Sequence, residues 1–379
     1  MKIINIYNGD FLNSSQGGGM RYLRDLMLTQ KNKGYQIELL AVGEGSARYI
    51  EIEGVMVRYI PISRTLKWPF FLWGLIIHLL RYGRDYNNQI IHLHRIYFSP
   101  PFRLLVRNAH IVTTIHSKTF AVITERFPFF YKMLPLLLFL EKVLIKTCVN
   151  RLSAAGDYAI DLYEERHDLD RDSVVPLRCP SLIVPVDQAA KELSDDTRKN
   201  ILCVGRIAAV KRPINVLELF ENALKKRPKL IDKYRLIFIG EGDERAVLES
   251  AVSRLGLDPH VKLIGSVQAD FMPHFYAAGS CLVLLSSSEV APFTVKEALT
   301  CGLPVFSTDV GIVSEYIPVN CGTIIPVEYP ESNSEMFLEF LDRKFDQDEC
   351  KAHAKYILQK EIDQFDKGLN RLYLPLGSS

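Results

Sequence analysis

Residues 201–213 read Ile-Leu-Cys-Val-Gly-Arg-Ile-Ala-Ala-Val-Lys-Arg-Pro. The apolar run Ile201–Val204 fits a short buried strand, Gly205 ends it, and Pro213 suits the first turn of a helix. Strand, loop and helix make up half of a βαβ unit, so the stretch predicts a parallel sheet. Arg206 and Lys211 then leave the C-terminal edge of that sheet, where open α/β sheets bind ligands. Alone, such a pair also fits a solvated turn.

The alternation continues in both directions. Downstream, strands are expected at 234–239, 261–264, 281–285, 304–307 and 323–325, with helices at 244–255, 269–278, 293–301 and 335–344. Upstream, strands are expected at 2–7, 36–42, 55–60, 90–94, 110–115 and 150–154. Gly17-Gly18-Gly19 opens a helical run that stops at Gly34, the usual helix terminator. The fold class is therefore α/β with two halves, which meet in the polar stretch 185–194. We divide the chain into an N-terminal domain at 1–187, a second domain at 188–351, and a C-terminal helix at 352–379 that packs back on the first domain.

Composition fits this division. The chain has 379 residues, 48% of them hydrophobic and 24% charged, as expected of two ordinary globular cores. A net charge of +2 does not suggest a nucleic-acid partner. The seven cysteines are scattered without a Cys-x-x-Cys pair, which argues against a disulfide framework and a thiolate zinc site. The start, MKIINIYNGD, reads as a strand rather than a signal peptide. The longest uncharged apolar run, Trp68 to Leu80, is shorter than the roughly 20 residues that span a bilayer. We therefore expect a cytoplasmic chain.

The candidate chemistry lies mostly in the second half. Cationic side chains, backbone N–H groups and helix N-termini neutralise a leaving diphosphate without a metal. Arg206 and Lys211 supply the cations. Glu289-Val-Ala-Pro-Phe-Thr-Val-Lys-Glu297 adds a glutamate after a strand and a second expected in the first turn of a helix. Two such carboxylates suit sugar and ribose hydroxyls, although Glu297 also fits plain helix-dipole stabilisation. Asp168-Leu-Asp170 and Asp170-Arg-Asp172 sit in the acidic run RHDLDRD and read as a solvated loop rather than a metal site. His92 and His94 alternate on one strand face, without a third ligand nearby.

The joint pattern is more specific than its parts. Gly205-Arg206, Lys211, Gly240-Glu-Gly242-Asp, the two spaced glutamates, Ala298-Leu-Thr-Cys-Gly302-Leu-Pro304, Ser307-Thr-Asp-Val-Gly311 and Glu315 together resemble the retaining glycosyltransferases of family 4. Gly17-Gly18, His92-Leu-His94 and Ile115-His116-Ser117 are similar to weaker landmarks of that family. The resemblance implies the GT-B fold, two Rossmann-like domains with parallel sheets facing across a cleft. It implies a retaining, metal-independent hexosyl or N-acetylhexosaminyl transfer from a nucleoside-diphosphate sugar, with a UDP-sugar favoured and no further cofactor. Arg206 and Lys211 would hold the diphosphate, Glu297 the ribose and Glu289 the transferred sugar. Gly17 and Gly18 would admit the reacting phosphate, Phe293 and Thr294 would offer their N–H groups, and His116 would border sugar and acceptor. Val290, Ala291 and Pro292 depart from the family's Gly-Phe-Gly, and Arg212 stands where glycine is common. A nonhydrolysing sugar-nucleotide epimerase, a phosphorylase and a non-catalytic partner subunit remain alternatives.

Charge suggests the acceptor. Between Arg58 and Arg151 stand fourteen basic residues and only the acids Asp85, Glu125 and Glu141. Residues 64–84 and 126–146 combine aromatic and aliphatic runs with flanking cations, which suits an anionic bilayer surface or, more simply, core helices. On the first reading the acceptor is a lipid-linked glycan of a bacterial surface polysaccharide.

Overall fold

The computed structural model describes residues 2–8, 18–43, 49–52, 54–61, 70–116, 132–180, 183–193, 196–328 and 333–373. Contacts divide the chain into two compact units. One holds Gly19–Pro180, the first strand and the chain from Glu361 onward; the other holds Ser181–Lys360. The division falls at 180/181 rather than 187/188. The return to the first unit occurs inside a helix rather than at its start.

The first unit contains β1 (Lys2–Ile6), α1 (Gly18–Asn32), β2 (Gln36–Gly43), β3 (Tyr49–Ile52), β4 (Val55–Pro61), α2 (Phe70–Tyr82), β5 (Ile90–Leu93), α3 (Ser99–Leu105), β6 (His110–Ile115), α4 (Leu134–Cys148), β7 (Arg151–Ala154), α5 (Asp157–His167) and β8 (Val174–Pro176). Its sheet runs β3-β4-β2-β1-β5-β6-β7-β8. Only the β3–β4 pair is antiparallel. β3 lies outside the expected strands, because its four residues Tyr-Ile-Glu-Ile are too few to show a period. The two faces of this sheet differ. Ile4, Ile6, Leu40, Val42, Ile91 and Leu93 share a core with α2 and α3. The alternate positions Asn5, His92, Thr114 and Ser153 are polar and buried, since successive strand residues face opposite sides.

The second unit contains β9 (Lys199–Val204), α6 (Pro213–Lys226), β10 (Tyr234–Ile239), α7 (Arg245–Arg254), β11 (Val261–Gly265), α8 (Met272–Ala277), β12 (Gly279–Leu284), α9 (Phe293–Thr300), β13 (Val305–Thr308), α10 (Val313–Tyr316), β14 (Gly322–Ile325), α11 (Asn333–Asp342) and α12 (Gln347–Tyr373). All of its strand pairs are parallel, in the order β11-β10-β9-β12-β13-β14. This is the doubly wound order, whose winding direction reverses between β9 and β12. Leu202 and Val204 face one core with α8, α9, α10 and the start of α12. Ile201 and Cys203 face the other, with α6, α7 and α11. The run Ile201–Val204, apolar at every position, is what burial on both faces demands.

α12 serves both units in turn. Cys350, Ala354 and Ile357 join the second unit's core. Phe365, Leu369, Leu372 and Tyr373 are buried further on. There a Cβ at Gly368 would meet the Pro176 carbonyl oxygen at 2.7 Å, so β8 and the helix touch backbone to backbone.

Candidate functional site

The reversal between β9 and β12 in the second unit gathers most of the candidate residues. Beyond β9, Gly205 has φ +141°. The chain then passes the exposed Arg206 and a short helical turn, Ala209–Lys211, into α6. Arg212 has φ +50° and is the residue before Pro213. Left-handed backbone there explains why glycine is usual at that position. This chain uses an arginine instead, and its Nη1 donates to the Val327 carbonyl at 2.7 Å.

The loop after β10 locks onto the same turn. A Cβ at Gly240 would fall 2.0 Å from the Gly205 carbonyl oxygen, and one at Gly242 would fall 2.1 Å from that of Ile207. Ile207 N donates to the Glu241 carbonyl at 2.9 Å. The two glycines of Gly240-Glu-Gly242 thus hold the shape of the Arg206 loop.

Beyond β12 the Glu289 carboxylate receives the Lys211 ammonium and, at 2.7 Å, the Ser286 hydroxyl. Ser287 N donates to the Val210 carbonyl at 2.8 Å, tying the two loops together. A cation and a carboxylate from separate parts of the sequence therefore meet at the switch point. Ser286 was legible only as part of a serine run.

α9 starts at the departure from Gly-Phe-Gly. Pro292 is its N-cap and offers no side-chain cap. The first helical N–H groups have no partner within a helix. The Thr294 hydroxyl is buried without a hydrogen-bond partner, an orphan polar atom at a helix N-terminus. Lys296 Nζ stands 4.7 Å over the Phe293 ring. Glu297 differs from expectation. It is the fifth residue of α9, beyond the first turn, and is only 6% exposed. Its Oε2 accepts from Tyr276 OH at 2.7 Å, so helix-dipole stabilisation does not account for it.

His116 follows β6 in the first unit and is half-buried. Its Nε2 lies 2.9 Å from His94 Nδ1, and its ring meets Tyr22 edge-on at 4.6 Å. Burial, aided by the Arg95 charge, pushes it down to about 3, so the ring is neutral near neutral pH. Gly17 lies outside the described residues, and Gly18 is the first residue of α1. Asp170 caps a short turn by accepting from Asp172 N at 3.2 Å, a structural use of RHDLDRD. Among the described residues no group of His, Cys, Asp or Glu is placed to hold a metal ion.

A doubly wound parallel sheet with a cation and a carboxylate paired at its switch point is of the Rossmann-like class. Similarity to known proteins refines this. The sequence profile described as Glycosyl transferases group 1 matches residues 187–357, and that described as Glycosyltransferase Family 4 matches residues 16–175. The chain belongs to this group of GT-B glycosyltransferases. It is 33% identical over 118 residues to the sulfoquinovosyl transferase SQD2 of Arabidopsis thaliana, covering 31% of this chain and only 21% of that protein. Among solved structures, sucrose-phosphate synthase from Thermosynechococcus elongatus superposes with a TM-score of 0.76 at 19% identity, covering 98% of this chain and 97% of the other. Anabaena HepE in complex with UDP-glucose gives 0.72 at 14% identity, covering 98% and 99%.

Proposed function

We propose that this chain is a retaining, metal-independent glycosyltransferase that uses a nucleoside-diphosphate sugar, a UDP-sugar first among them, and needs no resident cofactor. The observation that carries this reading is the meeting of Lys211 and Glu289 at the second unit's switch point. In this reading Arg206 and Lys211 hold the diphosphate, and the α9 N-terminus with Phe293 and Thr294 adds N–H donors. Glu297 holds the ribose, Glu289 the sugar, Gly17 and Gly18 admit the phosphate, and His116 serves the sugar and acceptor. A bound UDP-glucose in HepE supports the choice of donor.

In the step itself the bond from the anomeric carbon to the phosphate oxygen breaks. The acceptor hydroxyl forms its bond on the same face, and its proton passes to the departing phosphate oxygen. Side-chain cations stabilise the charge that develops there. A thermal-shift panel of nucleotide sugars tests the donor, because a ligand that binds only the folded state raises stability. Excess chelator tests the metal. Transfer should persist in EDTA, and loss restored by manganese or magnesium would overturn the metal-free reading. Incubation with the donor alone should leave its sugar configuration unchanged, whereas an epimerase alters it.

A surface of the first unit supports a lipid-linked glycan acceptor, as in bacterial surface polysaccharide assembly at the inner face of the plasma membrane. α2 exposes Trp73, Ile77 and Leu80 along one stripe, and α4 exposes Leu136, Phe139, Leu140 and Val143. α3 packs against both helices and leaves Leu104 81% exposed. Arg81, Arg84, Arg103, Arg107, Lys132 and Lys146 are exposed on the same elements or next to them. Apolar centre and cationic surround suit an anionic bilayer interface, with about 1 kcal/mol per cation near the surface. Among the described residues no helix is long and apolar enough to cross a membrane. Trp68 lies outside the described residues. The protein should co-sediment with anionic vesicles, less so in high salt or after Trp73→Glu with Phe139→Glu. A protein that stays in the supernatant at low salt refutes this surface.

A further inference from the structure

The polar face of the first unit's sheet carries a chain of hydrogen bonds that the transfer step above leaves unused. At its far end Ser153 Oγ lies 3.4 Å from the Thr113 carbonyl oxygen, which can only accept. Either hydroxyl can donate in the 2.6 Å Ser153–Thr114 contact, but Tyr22 OH donates to the Leu177 carbonyl at 2.9 Å and so accepts from the Thr114 hydroxyl with which it is hydrogen-bonded. With that proton committed, Thr114 accepts from His92 Nε2 at 2.6 Å. His92 Nδ1 then carries the lone pair and accepts from Tyr373 OH at 2.7 Å. The Tyr373 oxygen accepts from Gln30 Nε2 at 2.5 Å, and Gln30 Oε1 accepts from Asn5 Nδ2 at 3.0 Å. This orients Asn5 Oδ1 toward His94 Nε2, 3.5 Å away. His94 therefore bears its proton on Nε2 and offers Nδ1 to His116 Nε2 at 2.9 Å. The Leu177 carbonyl, with no proton to give, sets through Tyr22 and Thr114 the sense of the donors from His92 onward.

We propose that His94, Asn5, Gln30 and Tyr373 are positioning residues that fix His116 as the Nε2–H tautomer, so that its Nδ1 accepts a substrate hydroxyl and disfavours a carboxylate or phosphate at that position. The inference rests on reading His116 as a residue of the sugar and acceptor. An imidazole lone pair needs a donor, and an anionic substituent brings only further lone pairs. A protonated ring would invert that preference, but burial keeps His92, His94 and His116 uncharged near neutral pH. Of the linked residues only His116 is more than marginally exposed, so it is the end at which the chain can meet a ligand. Tyr373, near the end of α12, thereby becomes part of the apparatus that orients a residue of β6's loop.

Long-range proton–nitrogen spectra of the full ¹⁵N-labelled chain read the tautomers directly, with His116→Gln identifying the resonances. His94 and His116 should each show a single Nε2–H form, unchanged between pH 6 and 8. Tyr373→Phe, which keeps the ring and removes the hydroxyl, and Asn5→Val should convert His116 to mixed tautomers. Both should lower kcat about tenfold while nucleotide affinity stays put. A wild-type His116 found as Nδ1–H or as a mixture overturns the proposal. So do Tyr373→Phe and Asn5→Val variants that keep both the tautomer and kcat. If the tautomer is confirmed but His116→Ala transfers at the wild-type rate, the sugar-side assignment of His116 fails and the hydroxyl preference falls with it.

Discussion

A methyl group on Gly311 would sit 2.6 Å from the carbonyl oxygen of Glu289 and 2.4 Å from that of Val290. Gly311 has φ +60°, and the neighbouring Ile312 N donates to Val290 O at 3.2 Å. The loop after β13 is therefore the backstop that holds the Glu289 loop in place.

Gly311→Ala should strain this contact and lower stability by about 1–3 kcal/mol. Because the yielding segment carries Glu289, turnover should fall by up to about 10²-fold, with nucleotide affinity much less changed. Urea unfolding and steady-state kinetics on one preparation check both effects. A variant with wild-type kcat would separate Glu289 from catalysis.

Lys211→Met and Arg206→Met should both weaken nucleoside-diphosphate binding, by about 1.5–3 kcal/mol each if each contacts phosphate. They should differ in stability. Arg206 is exposed, so its loss should be nearly silent in unfolding. Lys211 partners a Glu289 carboxylate whose side chain is 14% exposed, so Lys211→Met leaves that charge poorly compensated. Calorimetric titration with UDP and a urea midpoint for each variant give the comparison. Wild-type UDP affinity in either variant removes that residue from the donor site.

Tyr276→Phe deletes the phenol that donates to Glu297 Oε2 at 2.7 Å. Hydrogen bonds to charged groups contribute about 1.5–3 kcal/mol, and the variant should lose stability in that range. If Glu297 holds the ribose, the affinity for UDP should drop as well, while affinity for inorganic diphosphate should not. Parallel titrations with the two ligands decide this.

Acid should destabilise the first unit through its histidines. Burial lowers His92 to about 3, and burial with the Arg58 charge lowers His78 to about 4. Unfolded histidines bind protons near pH 6.5. Folding therefore excludes protons between those limits, and the stability is complete above pH 6.5. It is lost as pH falls from 6.5 toward 4, at up to about 1.4 kcal/mol per pH unit for each histidine. Urea midpoints across pH 4–7 should slope accordingly and flatten in His92→Gln. An unchanged slope in that variant would show that His92 already binds its proton in the folded protein.

Much of this molecule could be read from residue order. The strands β6 and β10 stand where their apolar runs place them, and the Arg206 and Lys211 loop sits at a sheet edge as a strand–loop–helix pattern requires. What escaped depends on long-range approach. Gly240 and Gly242 read as motif residues, but their need for hydrogen in place of a side chain comes from the backbone of a loop over thirty residues away. Tyr276 gives no sign in sequence of meeting Glu297, since pairs between α8 and α9 follow from packing rather than from spacing. The alternation of His92 and His94 was visible. Their link to Asn5 and Tyr373 was not, because strand order places β1 beside β5 and only α12 can bring Tyr373 there.

That same helix fixes an order of events during synthesis. The first unit's sheet is complete in the chain by β8, yet Tyr373, which meets His92 of β5, and the buried Phe365 and Leu369 of the same unit follow the whole second unit. At roughly 5–20 residues per second of translation, the pocket around His92 stays open for about 10–40 s after β8 has left the ribosome. The earlier half of this protein is therefore the later half to finish folding, and its buried polar row is wet until the final turns of α12 arrive.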